Sequence, residues 1–213
     1  MQLSITHNFP QVAASLNALP LEIRNQVMGR ALNRAVDKAK TQMIRQITGE
    51  YKVLASYVRP RLTVVRARFA GGRVFLQAEL RGGDGKRRSA NVIAFLERSV
   101  SFAEAKRRAK KGTLNQLGFK FKRAGGVKHI PGAFIANKGR TVFRRVPGTT
   151  MASRSKYAGT KHAEGIEPVR VIGVPSMFNT RKINSAVIRS IEAELPLLFE
   201  RESRFALGKF NAR

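Results

Sequence analysis

Cysteine and tryptophan are absent from these 213 residues, and acids are scarce: 13 Asp and Glu face 41 Lys and Arg. Without cysteine there are no disulfides, zinc thiolate sites or cysteine nucleophiles, and an intracellular setting is expected. No run of about 18 apolar residues is present to span a bilayer. The opening MQLSITHNFPQVAASL lacks a basic segment followed by an apolar core, so no secretory leader is expected. The shortage of acids leaves a net charge of +28, a self-repelling field that a polyanion or a strongly acidic partner would neutralise. At 43% hydrophobic residues, the chain is long enough to bury a core of one domain or two small ones.

The same scarcity limits catalysis. A metal-dependent nuclease needs two or three carboxylates around Mg²⁺, and Glu164 with Glu167 is the one loop pair that could begin such a site. A solvated loop explains that pair better. Glu192, Glu194, Glu200 and Glu202 fall on an Arg-rich helix, where surface pairing accounts for them. None of His7, His129 and His162 has the i, i+4 partner or neighbouring acid of a metal or general-base motif. No GxxxxGK[ST] or GxGxxG turn occurs. An enzyme is therefore not expected, nor a cofactor, a metal or a small-molecule substrate.

What is present begins with an amphipathic helix over residues 21–48. Ile23, Val27, Ala31, Ala35, Ala39, Met43 and Ile47 recur at four-residue steps, with Pro20 suited to the start and Gly49 to the stop. A hairpin follows. Leu62 and Val64 alternate with polar neighbours after Pro60, Gly71 and Gly72 form the break, and Val74, Leu76, Ala78 and Leu80 share one face. The opposite face, Phe75, Gln77 and Glu79, is expected to be wet. Residues 91–97, NVIAFLE, read as a short apolar element, and FAEAKRRAKKG reads either as a basic helix ending at Gly112 or as an arm that a partner orders. A second hairpin pairs residues 127–136 with 141–146 across NKGR, and the loop PGTTMASRSKYAGTKHAEG after it is expected to be mobile. The strand candidate EPVRVIGV leads to a C-terminal helix faced by Val187, Ile188, Ile191, Leu195, Leu198 and Phe199, which Pro196 should bend or divide near Ala193.

The positive features are basic clusters. Between Arg98 and Lys161, 17 Lys and Arg stand against one acid, Glu104. Lys106, Arg107, Arg108, Lys110, Lys111, Lys120, Lys122, Arg123, Arg144 and Arg145 are the candidates for contact with phosphates or an acidic partner. Phe119 and Phe121 alternate with Lys120 and Lys122 and read as strand residues facing a core or a subunit boundary rather than as a base-stacking platform. Arg144 and Arg145 point to opposite faces of their strand, so at most one faces a given partner.

Four segments in order, ALNRA with its following Ala-Lys, YKVLASYVRPRL, IPGAFIA with its Arg-bearing return strand, and VPSMF, resemble the bacteriophage minor tail protein Z family of tail-completion proteins. The resemblance covers both halves of the chain. It implies a structural protein of the virion tail or neck, present in the host cytoplasm during assembly. Its implied partners are other copies of itself in a ring, neighbouring tail-terminator, tail-tube or head-connector proteins, and viral DNA in the channel, with no membrane. Pro131, Phe134, Phe143, Met177 and Phe178 are the subunit-interface candidates. Between Leu96 and Val127 the chain departs from the family pattern by a longer basic insertion.

The expected fold is α+β: an antiparallel sheet of about four to six strands flanked by a long N-terminal helix and a C-terminal helix, with a basic loop or arm. Residues 1–97 and 127–213 would form one domain, interrupted by the excursion at 98–126. The alternative function is a ribosomal-like nucleic-acid-binding protein using the same Lys and Arg arms on RNA or DNA. An endonuclease is the third reading, resting on Glu164 and Glu167.

Overall fold

The computed structural model describes residues 2–3, 20–70, 73–83, 89–97, 107, 117–151 and 164–211. Contacts divide the chain into two compact units, one of Met1–Thr48, Leu54–Arg88 and Val174–Arg213, the other of Gly49–Val53 and Ser89–Gly173. The class is α+β, with antiparallel pairing in every ladder and a long helix near each end. Among the described residues the strands fall into sheets of three, three, two, two and two.

In the first unit, β1 (Gln2–Leu3) is followed by α1 (Leu21–Glu50), which ends one residue beyond the glycine expected to stop it. The four-residue stripe is the buried face: Val27, Ala31, Ala35, Ala39, Met43 and Ile47 are all nearly inaccessible. Its alanines keep the helix surface shallow, so neighbouring elements approach closely. A short α2 (Ala55–Val58) and a 3-10 turn (Arg59–Arg61) carrying Pro60 lead into β2 (Leu62–Val65).

The first hairpin is present, in two pieces. The inner ladder joins β3 (Arg68–Ala70) to β4 (Arg73–Phe75), and the outer joins β2 to β5 (Glu79–Gly82), with β1 on the other edge of β5. Between the pieces, the Asn33 amide of α1 takes over the backbone of Ala67: its Nδ2 donates to the Ala67 carbonyl at 3.0 Å, and its Oδ1 accepts from the Ala67 N–H at 2.8 Å. A peptide group that would otherwise need a strand partner is satisfied by a helix side chain. The expected wet face needs correction at Glu79, which is buried. Gln77 Nε2 donates to its carboxylate at 2.6 Å and Arg81 Nε at 2.7 Å, so same-face neighbours replace the water.

The unit closes with α3 (Val174–Phe178) and α4 (Arg181–Asn211). Met177 and Phe178, expected at a subunit boundary, are fully buried in this unit's own core. Phe178 occupies the space a side chain at position 82 would need: a Cβ on Gly82 would lie 2.9 Å from the Phe178 Cγ. α4 continues through Pro196 rather than dividing there. Ile191, Leu195, Leu198 and Phe199 bury the turns on both sides of the proline, and that packing holds the helical path despite the lost donor. Two ion pairs tie α4 to α1, Arg34 to the buried Glu202 at 2.8 Å and Lys38 to Glu194.

The second unit contains β6 (Ser89–Asn91), a 3-10 turn (Val92–Phe95), β7 (Gly118–Phe119), β8 (Lys128–His129), β9 (Ala133–Ala136), β10 (Thr141–Thr150), β11 (Glu164–Pro168) and β12 (Arg170–Ile172). Val92, Leu117, Phe119, Ala133 and Val142 form its core. Phe119 therefore faces the core, and Phe121 lies against Phe95 with ring centroids 5.2 Å apart. A second asparagine repeats the device of Asn33. β11 ends in Pro168; just beyond it the Val169 N–H donates to the Val142 carbonyl at 3.0 Å, and the Asn91 amide joins there, donating to the same carbonyl at 3.0 Å and accepting from the Val142 N–H at 2.9 Å. The same oxygen caps the 3-10 turn by accepting from the Ile93 N–H. The residues expected as a mobile loop after Val146 begin instead as strand, since β10 runs to Thr150, while residues 152–163 lie outside those described.

Each asparagine clamp should be worth more than an ordinary surface bond, because its loss removes a partner from the backbone N–H and C=O of one residue: both groups at Ala67, and the N–H at Val142, whose carbonyl keeps the Val169 N–H. Asn33→Ala and Asn91→Ala are each expected to destabilise the chain by roughly 1–3 kcal/mol, read as a lower denaturant midpoint. A midpoint equal to wild type in both variants would show that water replaces the amides at no cost.

Candidate interaction site on the basic hairpin

The β9–β10 hairpin is set by its ends. Pro131 and Gly132 form a turn with Gly132 at φ +67°, where a glycine avoids the Cβ clash, and the expected strand over 127–136 is broken there. Lys128 and His129 pair instead with Gly118 and Phe119, leaving Ala133–Ala136 to pair with Thr141–Arg144. At the other end Asn137 and Lys138 both adopt φ +53° and Gly139 φ +82°, and the Arg140 N–H donates to the Asn137 carbonyl at 3.1 Å. The reversal presents Lys138 and Arg140 exposed at the tip.

Strand alternation sorts the hairpin into two faces. Ala133, Ile135 and Val142 turn inward onto the core. Phe134 and Phe143 sit directly opposite each other on the outer face, half-buried, with rings stacked at 6.1 Å between centroids. Ile166, opposite Arg145 on β11, extends this face and is exposed.

Arg144 and Arg145 do point to opposite faces, and each has a contact within the unit. Arg144 pairs with Glu167 directly across the ladder. Arg145 lies over the Phe134 ring, its guanidinium carbon 5.7 Å from the centroid, so the cation lies on the aromatic outer face. Glu167 therefore has an arginine for a partner, while Glu164 stands opposite Thr150 after a ladder irregularity. Among the described residues no group of three or more His, Cys, Asp and Glu converges.

Of the remaining basic candidates, Lys122 pairs with Glu50 at 3.2 Å, Arg123 and Arg107 are exposed, and Lys120 is half-buried. Lys106, Arg108, Lys110 and Lys111 lie outside the described residues, as do His7 and His162. Of the interface candidates, Pro131 is exposed and joins Phe134 and Phe143 on this hairpin. Lys138 and Arg140 were not singled out from the sequence. The NKGR turn itself was the available signal, since a turn that displays its residues makes two cations at its tip prominent. Among the described residues no helix is long and apolar enough to cross a membrane.

Because Arg144 and Glu167 are each about half exposed, 52% and 46%, their pair is worth little to stability. Arg144→Ala and Arg145→Ala should each change the unfolding free energy by less than about 1 kcal/mol. A collapse of the fold in either variant, seen by thermal melting, would show that the arginines are structural.

Comparison with known proteins returns one family. The model described as prophage minor tail protein Z matches residues 10–212. No curated protein and no solved structure matches the chain.

Proposed function

Since the chain belongs to the prophage minor tail protein Z family, matched over nearly its whole length, we propose that it acts as a structural subunit at the junction of phage tail and head, oligomerising around the path of the DNA. Membership gives a tail structural protein, with the virion as its place and other phage structural proteins as its company. The junction, the ring and the channel are what the family resemblance implies, and the charge and the surface of the hairpin support that reading.

The observation that carries the reading is the split of cationic and aromatic groups on one hairpin. Its outer face offers a neighbouring subunit two stacked phenylalanines with Arg145 across them, and its tip offers two exposed cations with no acid between them. A face of partly buried aromatics with a flanking arginine has the composition of a protein contact surface. Lys138 and Arg140 are suited to phosphates, which need only close positive charge. In this reading the hairpin serves subunit contact first, through Phe134, Phe143 and Pro131, and phosphate or acidic side chains second. The net charge of +28 is then balanced by the surroundings of the assembled particle rather than within the chain.

The double variant Lys138→Glu, Arg140→Glu, supplied to a phage lacking the native protein, should melt like wild type yet yield few infectious particles, with tails and filled heads accumulating unjoined. Normal infectious yield would contradict the role of the tip. The purified protein should bind free DNA weakly. Tight, salt-sensitive binding to free DNA or RNA would favour the nucleic-acid-binding alternative.

A further inference from the structure

A second surface, on the first unit, is left open. Phe205 near the end of α4 is 59% exposed, Leu197 on the same helix 63%, and Leu21 at the start of α1 60%. Single exposed apolar residues are ordinary, but contiguous ones mark contact surfaces. These are contiguous through Phe205, which borders two adjoining concavities. One is lined by Leu21, Ile23, Arg30 and Lys209 together with one acid, Glu22, the other by Leu197, Arg201 and Arg204 together with Glu200, so cations outnumber acids in both.

Cations frame the apolar groups. The Arg30 guanidinium carbon lies 5.8 Å from the centre of the Phe205 ring. Arg201 sits between Leu197 and Phe205 in an i, i+4, i+8 row along α4. Glu200 is paired with Arg204 at 2.7 Å, so the acid nearest this row is engaged with one of its own arginines.

We propose that this surface docks an amphipathic helical segment rich in Asp and Glu, carried by a different polypeptide. The row of Leu197, Arg201 and Phe205 repeats at the spacing with which a facing helix presents its own side chains, as in helix-in-groove recognition. The flanking arginines call for carboxylates, which this chain has in short supply. A second copy meets the surface poorly: it carries the same +28, and a two-fold contact through this patch would set arginine against arginine. A nucleic acid would satisfy the cations and leave Leu21, Leu197 and Phe205 in water. The proposal draws on the hairpin reading in no way and stands whether or not the protein sits at the tail-to-head junction.

Full-length protein with p-benzoylphenylalanine in place of Phe205, irradiated during tail assembly and digested for mass spectrometry, tests it. The expected cross-link joins position 205 to a peptide of another tail protein that has Asp and Glu beside apolar residues at helical spacing. Arg201→Glu, with an unchanged melting curve, should reduce that product severalfold. Cross-links to residues 1–19 of the same chain, to a second copy or to DNA would overturn the proposal. So would the absence of any cross-link in tails that contain the protein, or a product that Arg201→Glu leaves undiminished.

Discussion

The constraint on which the structure depends is the shortage of carboxylates in a strongly cationic chain. Among the described residues, several of its acids join one element to another, while Glu79 pairs within its own strand. Glu202 and Glu194 on α4 bind Arg34 and Lys38 on α1, Asp37 binds Arg66, Glu79 binds Arg81, Glu50 binds Lys122 and Glu167 binds Arg144. Most of these pairs are exposed and individually weak. Glu202 and Glu79 are different: each carboxylate is buried while its arginine reaches in from a half-exposed position, so losing either arginine would leave a buried carboxylate without its cation in the first unit. With many more cations than acids, positive charge remains over for the surface. In the proposed reading the surroundings supply the negative side.

The same economy appears in the uncharged contacts. Asn33 and Asn91 each bring one side-chain amide to the backbone of an irregular stretch, replacing a strand partner at Ala67 in the first unit and adding to the Val169 N–H at Val142 in the second. This gives physical content to the segments by which the family is recognised. In ALNRA, Ala31 and Ala35 are buried, Asn33 is the clamp and Arg34 holds Glu202. In VPSMF, Val174, Met177 and Phe178 are core, with Phe178 over Gly82. In IPGAFIA, Gly132 supplies the left-handed turn that starts the hairpin strand. These motifs specify the fold, and none of them gathers a catalytic group.

How much could be read from the sequence follows from the range of the interaction. The four-residue step of α1 and the alternation of β9 and β10 are local patterns, and both describe the faces that are buried. Opposite orientation of Arg144 and Arg145 follows from strand geometry alone. Their partners, Glu167 and Phe134, required knowing the register. The asparagine clamps span 34 and 51 positions, beyond anything a spacing argument reaches. Glu79 was expected in water because an acid on a polar face normally is; Gln77 and Arg81, donating from the same strand face, reversed that. Met177 and Phe178 were subunit-interface candidates, whereas both are buried in the first unit and the close approach permitted by Gly82 draws Phe178 inward.

The motifs of this chain build two units, and in the proposed reading its surplus charge and open aromatic groups meet other components. The most direct test is the position of the protein in an intact virion, by cryo-electron microscopy of particles with the chain labelled. Density in a closed ring at the tail-to-head junction, with the β9–β10 hairpin directed at a neighbouring subunit and its tip toward the DNA, is the predicted result. Density confined to the distal tail, or none in the mature particle, would contradict it.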